Sequence, residues 1–177
     1  FGGGIDSTRG IDYILSVVSK NKSLFIKIMG PASSQYKDKL YNIYGNYENI
    51  FLKLEAVPHE TIIQETINAD VTVALYDPYK VINNRYASPN KLYEAMMCSK
   101  PIIVSDDTSM ANIVRKENCG VVVKYGDEKE LIKVLEKLRK NPQLRKRLGN
   151  NGRKAYEKKY RWEIMEKRLL EIYKFFR

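Results

Sequence analysis

Short apolar runs alternate with amphipathic segments along the first 123 residues, and this alternation restricts the folds open to the chain. Five runs have the length of β-strands, at residues 24–29, 50–54, 71–75, 101–105 and 120–123, and residues 1–5 have the composition of the end of another. Segments with apolar residues at helical spacing lie between them. Strands and helices joined in this order predict right-handed βαβ crossovers. The expected fold is therefore α/β: a Rossmann-like doubly wound parallel sheet of about six strands, with helices on both faces.

The pattern changes after Val123, where no further strand-sized run follows. Asp127 can cap a helix that runs to about Lys140, and Asn141-Pro142 can start a second one that reaches about residue 158. A third helical pattern covers residues 162–176. We therefore predict a single domain over residues 1–177, in which a Rossmann-like core (1–125) is followed by a helical C-terminal tail (126–177).

The net charge of +10 comes entirely from that tail. Residues 1–123 carry 13 basic and 13 acidic side chains, whereas residues 124–177 carry 18 and 8. Such a segment is typical of a solvated helical face or of one attracted to an anionic membrane. No aromatic-rich recognition motif accompanies the charge, so nucleic acid is not expected as a partner.

The sequence offers no sign of a membrane span, a disulfide framework or a metal site. No apolar run approaches the roughly 18 residues that a span requires. Cys98 and Cys119 stand on separate elements without zinc spacing. These features predict a cytoplasmic protein, peripheral to the inner face of a membrane if the basic tail binds lipid, with no metal and no cofactor.

Open parallel sheets bind ligands at the carboxyl ends of their strands, and three loops expected there carry suggestive residues. The first contains Gly3, Gly4 and Arg9. Glycines let backbone N–H groups approach an anion, and Arg9 could add a fixed cation. The loop completes neither a dinucleotide fingerprint nor a P-loop, and a plain glycine turn is the alternative interpretation.

The second loop leads into a predicted helix at residues 88–96. Ser88 is predicted as the N-cap and Pro89 as the first helical residue. Lys91 follows in the first turn, where the helix dipole favours a carboxylate, so its positive charge indicates an anionic ligand. Glu94 could accept two hydrogen bonds from a vicinal diol such as a ribose. A capped helix with a surface glutamate is the alternative interpretation.

The third loop carries Val57, Pro58 and His59 between a strand and a helix. Its backbone could meet the edge of a base. His59 is the chain's one histidine, and we interpret it as a helix-start residue rather than a catalyst, because no partner for acid–base chemistry accompanies it.

Together these residues resemble the C-terminal domain of GT-B-fold glycosyltransferases of family 4, often called group 1. The likeness covers nearly the whole chain. Its most specific part is Ser88-Pro89-Asn90-Lys91-Leu92-Tyr93-Glu94-Ala95-Met96, followed by Lys100-Pro101-Ile102-Ile103. The opening loop through Asp12 and the segment Asn118-Cys119-Gly120-Val121 also fit the family.

The resemblance implies the donor-binding half of a retaining, metal-independent transferase. Such an enzyme would move a hexose-type sugar from a UDP- or GDP-sugar to a glycan or lipid-linked acceptor in polysaccharide or lipopolysaccharide synthesis. Glu94 would bind the ribose hydroxyls and Arg9 the diphosphate. The residues implied to bind the donor are Gly3, Gly4, Arg9, Val57, Pro58, Ser88, Pro89, Asn90, Lys91, Leu92 and Glu94. An N-terminal acceptor domain, which supplies the main catalytic groups, is expected to be absent from this chain, so the chain alone should bind donor without turnover.

Two positions depart from the family pattern. Tyr86 stands where an earlier glutamate is common, and Gly4 where an arginine is common, so the diphosphate would depend on Arg9 and Lys91. The family's last helix often crosses to the other domain, so exposed aromatic side chains are expected at Trp162, Tyr173, Phe175 and Phe176.

Two alternatives remain open from the sequence. One is an epimerase or phosphorylase-like protein that shares the GT-B donor domain. The other is a non-catalytic Rossmann-like module that binds a nucleotide or a partner protein, for which substitution of Glu94 would leave function intact.

Overall fold

The computed structural model describes residues 1–174 and contains every predicted interior strand. Phe175 and Phe176, for which exposure is expected, lie outside the described residues. The first four strands are shorter than the apolar runs, because their flanking residues turn into the connecting loops, and the fifth matches its run. They are β1 (Ile26–Met29), β2 (Ile50–Lys53), β3 (Thr72–Ala74), β4 (Ile102–Ser105) and β5 (Gly120–Val123).

The strands are all parallel and form two separate ladders. The first half-sheet pairs β1 with β2, with Ile26 opposite Ile50. The second half-sheet has the order β3-β4-β5, with Thr72 opposite Ile102. The doubly wound parallel architecture is thus confirmed, although no ladder joins β1 to β3.

The predicted count of about six strands is wrong, because residues 1–174 contain five. The opening residues run parallel to β1 but make only isolated bridges, Gly2 to Met29 and Ile5 to Ala32. The glycine run interrupts the extended backbone, since Gly3 has φ +108°.

Helices α1 to α6 connect or follow the strands on both faces of the sheet. Five match predicted segments, and α4 was not predicted because its five residues carry no apolar stripe. The amide of Asn84, buried within α4, donates to the carbonyls of Thr8 and Asp77 at 3.0 and 2.9 Å. The helices are α1 (Ile11–Ser19), α2 (Ser34–Tyr44), α3 (His59–Asn68), α4 (Ile82–Tyr86), α5 (Asn90–Met97) and α6 (Ser109–Glu117).

The helical tail is confirmed and consists of α7 (Glu128–Lys140), α8 (Pro142–Ala155), a π-helical turn (Tyr156–Tyr160) and α9 (Trp162–Lys174). Asp127 caps α7 by accepting from the Glu130 N–H at 2.9 Å. The second helix ends at Ala155, earlier than predicted, because the π turn takes over. Trp162 and Tyr173 are exposed as expected, and α9 buries none of its residues.

No helix among residues 1–174 is long and apolar enough to cross a membrane.

Alternate residues of β3 and β4 belong to two different apolar clusters. Successive residues of these strands must therefore be apolar, which explains the continuous apolar runs in the sequence. Val73 and Ile103 belong to the cluster that contains α1 and α7. Ala74, Ile102 and Val104 belong to the cluster that contains α5 and α6. Because the first cluster includes residues of both half-sheets, it holds them together where no ladder does.

The glycine loop reaches the second half-sheet at Gly10, the residue that precedes α1. Gly10 has φ +69°, and a Cβ there would lie 1.8 Å from the Leu75 carbonyl oxygen. The N–H of Asp77 donates to the Thr8 carbonyl at 3.0 Å in the same place. Glycine is therefore required for both backbone conformation and space, and it brings the loop against the end of β3.

We expect Gly10→Ala to lower the free energy of unfolding by roughly 3 kcal/mol or more, because left-handed strain of about 1–2 kcal/mol adds to an overpacking cost of similar size. Gly126→Ala is the matched control, since Gly126 also has a positive φ (+87°) but nothing lies within 4 Å of its added Cβ. It should show the strain alone. Urea unfolding measures both, and equal losses in the two variants would contradict the close approach.

Candidate functional site

The three loops singled out from the sequence meet at the carboxyl edge of the sheet. The glycine loop touches the start of α5, where a Cβ on Gly3 would lie 3.7 Å from Lys91 Nζ. The start of α3 contacts α5 about one helical turn after Lys91, where His59 meets Glu94. The structure thus gathers Gly3, Gly4, Arg9, Lys91 and Glu94 in one place.

Arg9 is held in a fixed orientation by its own loop. Its Nε lies 2.6 Å from Asp6 Oδ2, and its Nη1 donates to the Gly4 carbonyl at 3.1 Å. Burial opposes ionisation of Asp6, but hydrogen bonds from Thr8 and the nearby guanidinium outweigh it and lower the Asp6 pKa. The guanidinium carbon of Arg9 also lies 5.7 Å from the centre of the Tyr76 ring. The loop therefore presents a preorganised cation.

Lys91 supplies a second cation in a less favourable setting. Its Nζ donates to Tyr76 Oη at 3.1 Å and lies 3.9 Å from the centre of the Phe1 ring. Burial and the charge of Arg9 lower its pKa to about 7, although Glu94 and Asp6 act in the opposite direction. An ammonium group surrounded by aromatic rings and another cation gains from an added anion.

The start of α5 differs from the prediction. The helix begins at Asn90, and Pro89 occupies the N-cap position with φ −71° and ψ 146°. The Ser88 hydroxyl makes no cap; it lies 2.6 Å from Tyr93 Oη. Ser88 is one residue too far from the first turn to cap it. The predicted N-cap role of Ser88 is therefore wrong.

Leu92 does not contribute its side chain to the site. It is completely buried in the cluster of α5 and α6, and its N–H donates to the Pro89 carbonyl at 3.1 Å. Val57 and Pro58 lie beside the site, since they precede His59 at the start of α3. The interpretation of His59 as a helix-start residue is confirmed.

Glu94 lies about one turn into α5 with a largely buried side chain, of which 17% is exposed. Its Oε1 is 2.9 Å from His59 Nε2, while the imidazole itself is 66% exposed. A carboxylate in this position offers its remaining lone pairs as hydrogen-bond acceptors.

A cavity of about 420 Å³ extends from the site toward the residues between the half-sheets. Lys91 and Glu94 border it, and so do Ile26 of β1 and Val73 of β3. Other charged side chains, among them Lys27, Glu65 and Arg145, also line this cavity, and the end at Lys91 and Glu94 is the part that lies beside the glycine loop.

Tyr86 lies elsewhere, beside a second cavity of about 250 Å³ at the start of α6. Arg85, Asp107 and Arg115 share the lining. Tyr86 is largely exposed, and as a tyrosine it supplies no carboxylate at the position where a glutamate is common in the family that the chain resembles.

Sequence reasoning missed Tyr76, Phe1 and the pairing of His59 with Glu94. Tyr76 could have been predicted from the sequence, because it directly follows a buried apolar run. A residue in that place lies at the edge of the sheet where ligands bind. The Phe1 ring and the His59 contact depend on how distant loops pack, for which the sequence carries no signal.

Comparison with known proteins matches residues 1–155 to the family described as glycosyl transferases group 1. The capsular polysaccharide biosynthesis glycosyltransferase CapM of Staphylococcus aureus is 24% identical over 98% of this chain, which spans 45% of CapM. This chain therefore covers less than half the length of that relative.

Solved structures share the fold. The structure of Anabaena HepE in complex with UDP-glucose has a TM-score of 0.79 and 14% sequence identity to this chain. The match covers 98% of this chain and 48% of the HepE chain. The C-terminal domain of the group 1 glycosyl transferase LpcC from Francisella tularensis has a TM-score of 0.74 and 17% identity, over 92% of this chain and 87% of that domain. The second match aligns this chain with a C-terminal domain almost from end to end.

The lowered pKa of Lys91 predicts a pH dependence of stability. Between about pH 7 and the ordinary lysine value of 10.5, the unfolded chain binds more protons at this residue than the folded chain, so its contribution to stability rises with pH. Lys91→Met removes that contribution. The variant should therefore gain most over the wild type near pH 7 and less near pH 10.

Urea unfolding at pH 7, 8.5 and 10 measures the effect, and the exposed Lys22 provides the control Lys22→Met, which should follow the wild type. A difference between Lys91→Met and the wild type that stays constant with pH would show that Lys91 is not buried as described.

Proposed function

This chain belongs to the group 1 glycosyl transferases, and we propose that its site binds the nucleoside diphosphate part of a nucleotide-sugar donor. The observation that supports this most strongly is the convergence of Arg9 and Lys91 beside the glycine loop. Arg9 already has a carboxylate as its direct partner, whereas the Lys91 ammonium donates to the Tyr76 phenol and lies against the Phe1 ring. A diphosphate would supply the negative charge that this pair of cations lacks.

Glu94 is the proposed acceptor for the ribose hydroxyls. It lies three residues after Lys91 on the same helix, so the two side chains point to the same side of α5. A ligand whose phosphates meet Lys91 would bring its ribose toward Glu94. The turn at Val57 and Pro58 lies beyond Glu94 and would face the base, and the glycine loop would meet the phosphates from the other side.

The chemistry follows from the donor part. When the bond between the anomeric carbon and the diphosphate oxygen breaks, the leaving diphosphate gains negative charge, and Arg9 and Lys91 are placed to stabilise it without a metal. The acceptor hydroxyl forms the new glycosidic bond and releases its proton. We propose that the transfer retains anomeric configuration and that a hexose moves from UDP or GDP to a glycan or lipid-linked acceptor.

The chain covers less than half of CapM and of HepE, so the acceptor site is proposed to lie in the rest of such a protein. A transferase must hold donor and acceptor in one geometry, and the residues described here line only the donor side. This chain alone is therefore expected to bind donor without transferring sugar. The exposed basic side chains of α7 and α8 fit an anionic membrane that carries a lipid-linked acceptor.

We expect one nucleoside diphosphate from a panel of UDP, GDP, ADP and dTDP to raise the melting temperature by about 5–10 °C at 100 times its dissociation constant. A ligand at that concentration stabilises the folded state by about 2.7 kcal/mol, and 1 kcal/mol corresponds to about 2–4 °C for a chain of this size. Glu94→Ala should lose most of the shift, and Lys91→Met should lose it as well.

NAD serves as the control ligand, and Glu171→Ala, on the exposed face of α9, as the control variant. A shift with NAD alone would contradict a nucleotide-sugar site. A diphosphate shift that survives Glu94→Ala would support a binding module without the proposed donor geometry.

Diphosphate binding should also take up a proton. Because the pKa of Lys91 is lowered to about 7 in the free chain, the side chain is mostly neutral at pH 8, and a bound diphosphate favours its charged form. Calorimetric titration in two buffers of different ionisation enthalpy at pH 8 should show uptake approaching one proton per ligand. Lys91→Met should abolish the uptake, whereas an uptake that persists in this variant would assign it to another group.

A further inference from the structure

The chain's one histidine contacts the carboxylate on which the proposed ribose site depends. His59 is the first residue of α3, and its Nε2 lies 2.9 Å from Glu94 Oε1 on α5. The two residues are 35 positions apart, so the contact exists only because the fold brings the starts of these helices together.

The contact is poorly explained as a stabilising one. The imidazole is 66% exposed, and pairs at such exposure contribute little to stability. The start of α3 is held by other means, since Ile62 is buried and packs so closely on Gly2 that a Cβ there would lie 2.3 Å from Ile62 Cγ2. The contact therefore matters more for the orientation of Glu94 than for the stability of α3.

A glutamate side chain turns about three bonds, and a free carboxylate must lose that freedom when it binds a diol. The hydrogen bond from His59 restricts Glu94 before a ligand arrives. It uses one lone pair of Oε1 and leaves Oε2 and the other lone pair of Oε1 available. In the neutral imidazole, this requires the proton on Nε2.

We propose that His59 is a positioning residue that presents Glu94 to the two ribose hydroxyls of the donor. The inference rests on the proposed function, since it takes Glu94 as the ribose acceptor. In this role His59 needs no contact with the sugar or the reacting atoms. It acts by orientation, so its loss weakens only those ligand contacts that Glu94 makes.

The experiment compares three ligands: UDP, 2′,3′-dideoxy-UDP and inorganic pyrophosphate, with GDP and its dideoxy analogue instead if the panel selects guanine. The wild type should bind the ribose form at least about tenfold more tightly than the dideoxy form, because hydrogen bonds to a charged group are lost in the latter. His59→Ala should weaken the ribose form by about threefold to tenfold. It should leave the affinities for the dideoxy form and for pyrophosphate unchanged.

His59→Gln is the conservative control, because its amide can donate to Glu94 without a ring, and it should recover most of the loss. In the background of Glu94→Ala, removal of His59 should have no further effect on the ribose form, so the double variant should match the single one.

The outcomes separate the inference from the function on which it rests. If the wild type does not distinguish the ribose from the dideoxy ligand, Glu94 is not the ribose acceptor and the proposed donor geometry fails. If the wild type distinguishes them and His59→Ala does so equally well, only the positioning role is wrong. If His59→Ala weakens all three ligands alike, the residue is structural and the inference is overturned.

A measurement on the wild-type chain avoids any loss of folding. With a single histidine, the imidazole nitrogens give one set of NMR signals. Addition of UDP should shift the Nε2 signal through Glu94, and the dideoxy ligand should shift it much less. Equal shifts with both ligands would contradict the proposed coupling to the ribose.

Discussion

The close approach of Gly10 to the Leu75 carbonyl is the contact on which the site depends. The two half-sheets share no ladder, and the glycine loop belongs to the first while Tyr76 and Lys91 belong to the second. Only where the loop backbone lies directly against the end of β3 can Arg9 reach the Tyr76 ring. A side chain at Gly10 would keep the loop at a distance and separate the cations. A single backbone contact therefore sets the spacing of the charged groups.

The electrostatics of the site follow from this spacing. Arg9 is satisfied by Asp6 and the Gly4 carbonyl, so it provides a charge without moving. Lys91 is only partly satisfied, and its lowered pKa reflects burial near another cation. Glu94 lies far enough along α5 to act on Lys91 only through space, and His59 holds it. The carboxylate of Glu94 and the two cations, Arg9 and Lys91, therefore lie at separate places in the site. The proposed ligand needs this separation, because its phosphates and its ribose are different parts of the molecule.

Much of this arrangement could be predicted from the sequence, because it depends on local patterns. Continuous apolar runs such as residues 101–105 predicted strands covered on both faces, and the observed alternation between two clusters has that cause. Asp127 and Asn141 predicted helix starts through short-range hydrogen bonds that any tertiary context would allow. The position of Lys91 in the first turn of α5 is confirmed, and the anion site that this position predicts from local electrostatics stays a prediction.

The predictions that failed depend on where a helix begins exactly and on how loops and helices pack. The helix α5 begins at Asn90, so Ser88 lies one residue too far away to cap it, and the Ser88 hydroxyl lies beside Tyr93 Oη instead. Residues 1–5 make only isolated bridges rather than a strand, because the positive φ of Gly3 (+108°) interrupts the extended backbone. The pairing of His59 with Glu94 depends on the approach of two helices, and the hydrophobic periodicity of the sequence does not predict which helix ends meet.

The candidate site spans the seam between the two half-sheets. The opening residues bond to β1 through the backbone of Met29, and the glycine loop bonds to the residues after β3 where the N–H of Asp77 donates to the Thr8 carbonyl. A ligand held by Arg9 and Lys91 together would act as a brace across the seam. Any widening of the seam would have to break its contacts, so bound ligand would raise the free energy of opening by RT ln(1 + c/Kd), where c is the free ligand concentration. The same ligand contacts would then make the sheet more rigid and retain the ligand in its site.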